Sequence, residues 1–207
     1  MGNQSGSIYG LTILSPIKDD PSADVSPSLA IRMYLATISV DGTGPFGKVT
    51  STHMARLVVL DDVVYFGMPS CEEHLKSKYL IFETNFDGGL DEYLTELATK
   101  AAEEVQQIWQ HCIGFPGVSN TAAFIAYMKR CQLETTFYFA DVNNKTVQET
   151  LRALQTQSAV SAFVAKNQGK PPAELQKEFA IFLERLRNAA RPKPASTRGK
   201  ELTDELL

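Results

Sequence analysis

The sequence lacks any long apolar run, and no stretch approaches the roughly 18 consecutive apolar residues that a membrane-spanning helix needs. Its first seven residues also lack the basic and apolar regions of a secretory signal. We therefore expect a protein without a membrane span, and its default location is the cytoplasm.

Cysteine, histidine and tryptophan are scarce, with three, three and one copies. The cysteines, Cys71, Cys112 and Cys131, are widely spaced and form no C-x-x-C pair, so a disulfide framework is not indicated. We expect reduced thiols, with Cys112 and Cys131 packed in the core. No H-x-x-x-H spacing occurs, and His111-Cys112 would point about 100° apart on a helix, so no metal site is predicted.

Common catalytic motifs are also missing. The sequence has no phosphate-binding loop, no G-x-G-x-x-G, no G-x-S-x-G elbow and no zinc-protease motif. The 24 acidic and 20 basic residues give a net charge of −4, which argues against nucleic acid or an anionic membrane as the main partner. Whether the protein is an enzyme stays open.

The chain does contain enough apolar material for one domain, since 43% of its 207 residues are hydrophobic. Apolar periodicity and turn residues predict strands at 9–18, 50–60, 78–86 and 134–141, with 63–68 as a candidate hairpin partner. They predict helices from Ser26-Pro27, over 91–112, over 121–131, from the capping box Thr146 to Glu149 as far as Lys166, and around 175–186. Polar residues 191–207 are predicted to be a flexible tail on a single domain of residues 8–190.

This order of elements is the split βαβ plan of an α+β, ferredoxin-like antiparallel sheet with two additional C-terminal helices. Ferredoxin-like domains commonly pair their sheets into dimers, and dimeric α+β barrels do so around a ligand cavity. By analogy we expect a homo-oligomer.

Two adjacent strands place polar side chains at one end of this sheet. His53 and Arg56 lie on one strand, and Asn85 and Asp87 lie at the end of the next, just before a helix N-terminus where ligands bind. Together the four are the predicted ligand-binding residues. In a regular strand His53 and Arg56 face opposite ways, and only a bulge would bring them together.

Each of these residues also has a structural interpretation. Asp87-Gly88 is typical of a turn in which the carboxylate caps local backbone N–H groups. His53 is a candidate haem or metal ligand or an acid–base group, but a lone strand histidine is more often a structural hydrogen-bond donor.

Three segments resemble an uncharacterised group of bacterial ferredoxin-like proteins of the dimeric α+β barrel type. They are Thr52-His53-Met54-Ala55-Arg56, Phe82-Glu83-Thr84-Asn85-Phe86-Asp87-Gly88 and His111-Cys112-Ile113-Gly114-Phe115-Pro116. The resemblance covers about residues 8–165, and the longer stretch at 63–77 and the tail depart from it. It implies association with oxidative enzymes, including haem peroxidase-like ones, and brings no established activity.

Three hypotheses of different classes follow. The first is a small-ligand protein, binding haem or a lipid-like molecule as an accessory to oxidative chemistry. The second is an interaction module that docks to a larger assembly through its last helix or through its tail, with Leu202, Leu206 and Leu207 as anchors; the alternative for the tail is a frayed terminus. The third is an enzyme with Asp87 or His53 as general base.

Overall fold

The computed structural model describes residues 2–40, 43–63, 67 and 74–190, which form a mixed α+β architecture. The strands are β1 (Gln4–Ser5), β2 (Ile8–Pro16), β3 (Thr52–Leu60), β4 (Tyr79–Asp87) and β5 (Gln132–Leu133). The helices are α1 (Pro27–Leu35), α2 (Pro45–Lys48), α3 (Leu90–Lys100), α4 (Ala102–Trp109), α5 (Thr121–Cys131), α6 (Val147–Lys166) and α7 (Pro172–Asn188). The predicted α+β class is confirmed.

The sheet is antiparallel, with the order β1-β2-β4-β3 and with β5 also paired to β2. Nine-residue strands form its centre, and along β4 every second side chain is buried. This alternation follows from the two-residue repeat of a strand, which sends successive side chains to opposite faces. One face therefore packs in a core, and the other carries the remaining side chains of β2, β3 and β4.

The core lies between the sheet and helices α1–α5. Phe86 stacks between Tyr9 and Tyr93, with ring centroids 5.2 and 3.8 Å apart, and the Tyr93 hydroxyl lies 3.0 Å from Thr84 Oγ1. Buried aromatic rings of this kind remove a large apolar area from water and prefer particular stacking geometries. As predicted, Cys112 is buried in the same core, and Cys131, which is half-buried, packs against it.

The predicted long helix over residues 91–112 is wrong, because the structure has α3 and α4 with a break at Ala101. Ala101 leaves helical geometry at φ −121° and is fully buried. Leu97, Ala101 and Val105 are spaced by four residues straight through the break, so apolar periodicity does not reveal it. Both helices keep their apolar side against the sheet.

The predicted strand over 134–141 is also wrong, since pairing to β2 ends at Leu133. Phe137 and Phe139 are 82% and 68% exposed, so their alternation does not mark a buried face. Instead Tyr138 lies over Gly10, where a Cβ atom would be 2.7 Å from the tyrosine ring. The segment crosses the sheet instead of extending it.

The C-terminal helices form a hairpin in which α6 packs chiefly on α7. The predicted capping box is confirmed: the Thr146 hydroxyl accepts from the Glu149 N–H, and Glu149 accepts from the Thr146 N–H. Arg152 holds the end of α7 by donating to the carbonyls of Leu186 and Ala189 at 2.7 and 3.3 Å.

Among the described residues, no helix is both long enough and apolar enough to cross a membrane. The candidate hairpin partner at 63–68 lies largely outside the described residues, as do Cys71 and the tail at 191–207 with Leu202, Leu206 and Leu207.

Candidate functional site

A β-bulge at the start of β3 decides which way His53 points. Thr52 and Met54 pair with consecutive residues of β4, so His53 between them is an extra residue in the strand. A bulge of this kind interrupts the alternation of faces. His53 therefore shares the sheet face of Met54 and Arg56, opposite the core. The separation of His53 from Arg56 that regular strand parity predicts is wrong, because the required bulge is present.

Asp87 is the centre of the polar contacts on this face. His53 Nε2 lies 2.8 Å from Asp87 Oδ1, and the Val147 N–H donates to Asp87 Oδ2 at 2.8 Å. The side chains of His53 and Asp87 are 22% and 14% exposed. Val147 is the first residue of α6, so the carboxylate lies at the positive end of that helix. Asp87 does cap a backbone N–H, but one 60 residues further along the chain.

Arg56 and Asn85 share this face but make different contacts. Arg56 forms an ion pair with Glu83 on the neighbouring strand, and its side chain is 69% exposed. Asn85 lies opposite Gly10 on β2 and Met54 on β3. All four predicted ligand-binding residues thus lie on one face of the sheet. Among them, His53 and Asp87 are in direct contact.

Beyond a polar row formed by Thr12, Glu83 and Arg56, this face becomes apolar. Leu14, Ile81 and Val58 pair in one row across β2, β4 and β3, and Met54 on the same face is 66% exposed. At the other end Tyr138 covers Gly10. The face, which we call the open sheet face, therefore joins a polar corner at His53 and Asp87 to an apolar row at Ile81.

One ring nitrogen of His53 is available to bind a ligand or a proton. With Nε2–H donated to the carboxylate, the neutral ring presents Nδ1 as a hydrogen-bond acceptor, and no described residue bonds to Nδ1. Imidazoles that ligate metals are commonly held by a carboxylate on their other nitrogen, and so are histidines that act as bases. His53 can therefore accept a proton or donate a lone pair.

A protein-only metal centre is not formed by the part of the chain that the structure describes, where no group of three or more His, Cys, Asp or Glu side chains converges. The polar corner offers one imidazole, so a metal there would need its other ligands from a bound cofactor.

The other cysteine and histidine candidates lie in less reactive surroundings. Burial raises the pKa of the Cys112 thiol to about 12, with the nearby Cys131 adding to the effect. Burial, and then the Lys18 ammonium, lower the pKa of His111. A thiol of such high pKa is a poor nucleophile, so His111-Cys112 carries no site.

Sequence reasoning missed two parts of the site, the Val147 N–H and the Tyr138 ring. The capping box predicts where α6 begins, but it does not predict that the first N–H of this helix bonds to Asp87 at the end of β4. The alternation of Tyr138 with Phe137 and Phe139 predicts a strand, and so gives no sign that the tyrosine ring covers Gly10.

The chain was compared with protein-family models, with curated proteins and with solved structures, and no match was found in any of them.

Proposed function

We propose that the protein binds a small amphipathic ligand on the open sheet face, with His53 as its polar contact. The observation that carries the proposal is the β-bulge, which turns His53 onto the face of Arg56, Asn85 and Asp87 while Asp87 fixes its ring. Binding sites of this kind combine an apolar lining with a few placed polar groups.

Each part of the face has a distinct role in this proposal. His53 Nδ1 accepts a hydrogen bond or ligates a metal, Asp87 orients the ring, and the apolar row packs against the body of the ligand. Arg56 is paired with Glu83 but is 69% exposed, so its remaining N–H groups can donate to an anionic group such as a carboxylate. Haem combines an iron, a hydrocarbon body and carboxylates. A lipid-like acid combines a hydrocarbon body with a carboxylate and has no iron.

The sheet connectivity supports a more specific fold within this proposal. The order β5-β2-β4-β3, with antiparallel neighbours and helices on one face, is the order expected of a ferredoxin-like split βαβ domain. A second copy stacked on the open sheet face would enclose the ligand between two sheets, as in a dimeric α+β barrel. Accessory action in oxidative chemistry and a cytoplasmic location stay predictions, as does a catalytic role of His53 or Asp87.

The test uses two probes, haemin and a fluorescent fatty acid, titrated into the full chain. Saturable binding of at least one probe, lost in His53→Ala, is expected. His74→Ala is the matched control, because His74 also pairs with a carboxylate, that of Asp62, but is 62% exposed. Absence of a Soret shift and of fatty-acid binding, or unchanged affinity in His53→Ala, would refute the proposal.

A further inference from the structure

The α6–α7 hairpin has an apolar groove that its own core does not fill. The inner side is closed by Ala159, Phe163 and Phe182. Outside this small core, the apolar side chains of the hairpin that are between 37% and 55% exposed include Val160, Val164, Leu175 and Phe179. Val164, Leu175 and Phe179 line a cavity of about 530 Å³ next to the loop that connects the helices. Clustered exposure of this kind marks an interaction surface.

The point where the chain leaves α7 also lies beside a cavity. A wider cavity of about 1170 Å³ is lined by Ala153, Gln157 and Ala189. On α6, Ala153, Gln157, Val160 and Val164 recur every three or four residues, so at 100° per residue they lie on one side of the helix. The two cavities therefore lie along the same side of α6, one beside Ala189 and the other beside the connecting loop.

The segment that follows α7 carries side chains that fit the apolar end of this groove. Leu202 and Leu206 are four residues apart, the spacing of neighbours on one side of a helix. Three acidic residues surround them: Glu201, Asp204 and Glu205. Lys170 lines the apolar cavity but already pairs with Glu174 and Glu178 at 3.4 and 3.5 Å, so the fit of the segment rests on its leucines.

The length of chain between α7 and these leucines is sufficient. From Ala189 back to Leu175 the distance along α7 is about 21 Å, at 1.5 Å per residue. Residues 191–201 can span up to about 36 Å when extended. Leu202 can therefore reach Leu175 and Phe179 without any change in the hairpin.

We propose that residues 200–207 bind in the α6–α7 groove of their own chain, with Leu202 and Leu206 in the cavity beside Leu175 and Phe179. The leucines bury the apolar side chains that the hairpin leaves exposed. Any outside partner that uses this surface must first displace the segment.

The test is hydrogen exchange, measured by mass spectrometry on the full chain over residues 157–168 and 172–183. In the double variant Leu202→Asp/Leu206→Asp, exchange in both stretches should be about ten-fold faster, because loss of docking raises the frequency of local opening. The matched control is Thr197→Asp/Thr203→Asp, which adds the same two charges without removing a leucine and should exchange like the wild type.

A groove variant tests the same contact from the other side. Val164→Asp should reproduce the faster exchange, and since this side chain is 55% exposed the hairpin core is untouched. Wild-type exchange in the leucine variant would overturn the proposal. So would protection that disappears on ten-fold dilution, because the segment would then come from a second copy.

Discussion

Replacement of Asp87 tests whether one carboxylate holds the C-terminal hairpin to the sheet. Asp87→Ala removes the acceptor for the Val147 N–H and the partner of His53 Nε2, both at 2.8 Å. Loss of a side-chain acceptor at a helix N-terminus costs about 1–2 kcal/mol, and loss of a net hydrogen bond about 1 kcal/mol. The expected destabilisation is therefore about 2–3 kcal/mol.

The assay is urea unfolding, followed by circular dichroism, together with thermal melting. For a domain of this size a loss of about 2–3 kcal/mol corresponds to a fall in Tm of roughly 4–12 °C. Asp87→Asn keeps an oxygen for the Val147 N–H and loses the charge, so its cost should be about 1 kcal/mol. A double-mutant cycle with His53→Ala should show a coupling free energy of about 1 kcal/mol between the two side chains.

The control is Asp141→Ala, at an exposed position before α6, where a change below about 0.5 kcal/mol is expected. Hydrogen exchange of the first turn of α6 should rise in Asp87→Ala and stay constant in the control. The reasoning is refuted if Asp87→Ala and Asp141→Ala are equally stable, or if Asp87→Ala loosens the sheet and leaves α6 unchanged.

Two further predictions follow from shifted pKa values. With its pKa raised to about 12, fully buried Cys112 should resist iodoacetamide at pH 8 in the folded protein and react after denaturation, as followed by peptide mass spectrometry; rapid folded-state alkylation would contradict its burial. The pKa of Glu149 lies below its usual 4.5, because its carboxylate accepts from the Thr146 N–H and hydroxyl and lies near Lys145. Its stabilisation of the start of α6 is therefore present above pH 4.5 and is lost as pH falls through the lower folded value. The Thr146 amide proton shift should titrate below pH 4.5, and Glu149→Gln should abolish this titration.

Local sequence signals predicted the elements that depend on local chemistry. Helix α5 begins and ends where its periodicity predicts, at Thr121 and Cys131, and the capping box at Thr146 starts α6 one residue later. These features depend on residues three or four apart in the chain, so the sequence alone displays them.

Features that depend on pairing between distant segments were not visible in the sequence. The bulge at His53 exists because β3 and β4 are one residue out of step near their ends, which only the register between Thr52 and Phe86 reveals. Tyr138 covers Gly10 because the chain crosses the sheet there, and aromatic alternation looks the same in a strand and in such a crossing. Regular strand parity therefore places His53 on the wrong face.

Asp87 connects the two parts of the protein for which we propose separate roles. Its Oδ1 orients the His53 ring on the open sheet face, and its Oδ2 accepts the first N–H of α6. Docking of α6 onto the sheet and ligand binding at His53 therefore both involve the carboxylate of Asp87. Thermodynamic coupling between two such events is reciprocal. If docking of α6 raises the affinity for a ligand at His53, that ligand therefore stabilises the docked helix by the same free energy. Under the proposed function, a ligand on the open sheet face would then control, through Asp87, how firmly the hairpin is held.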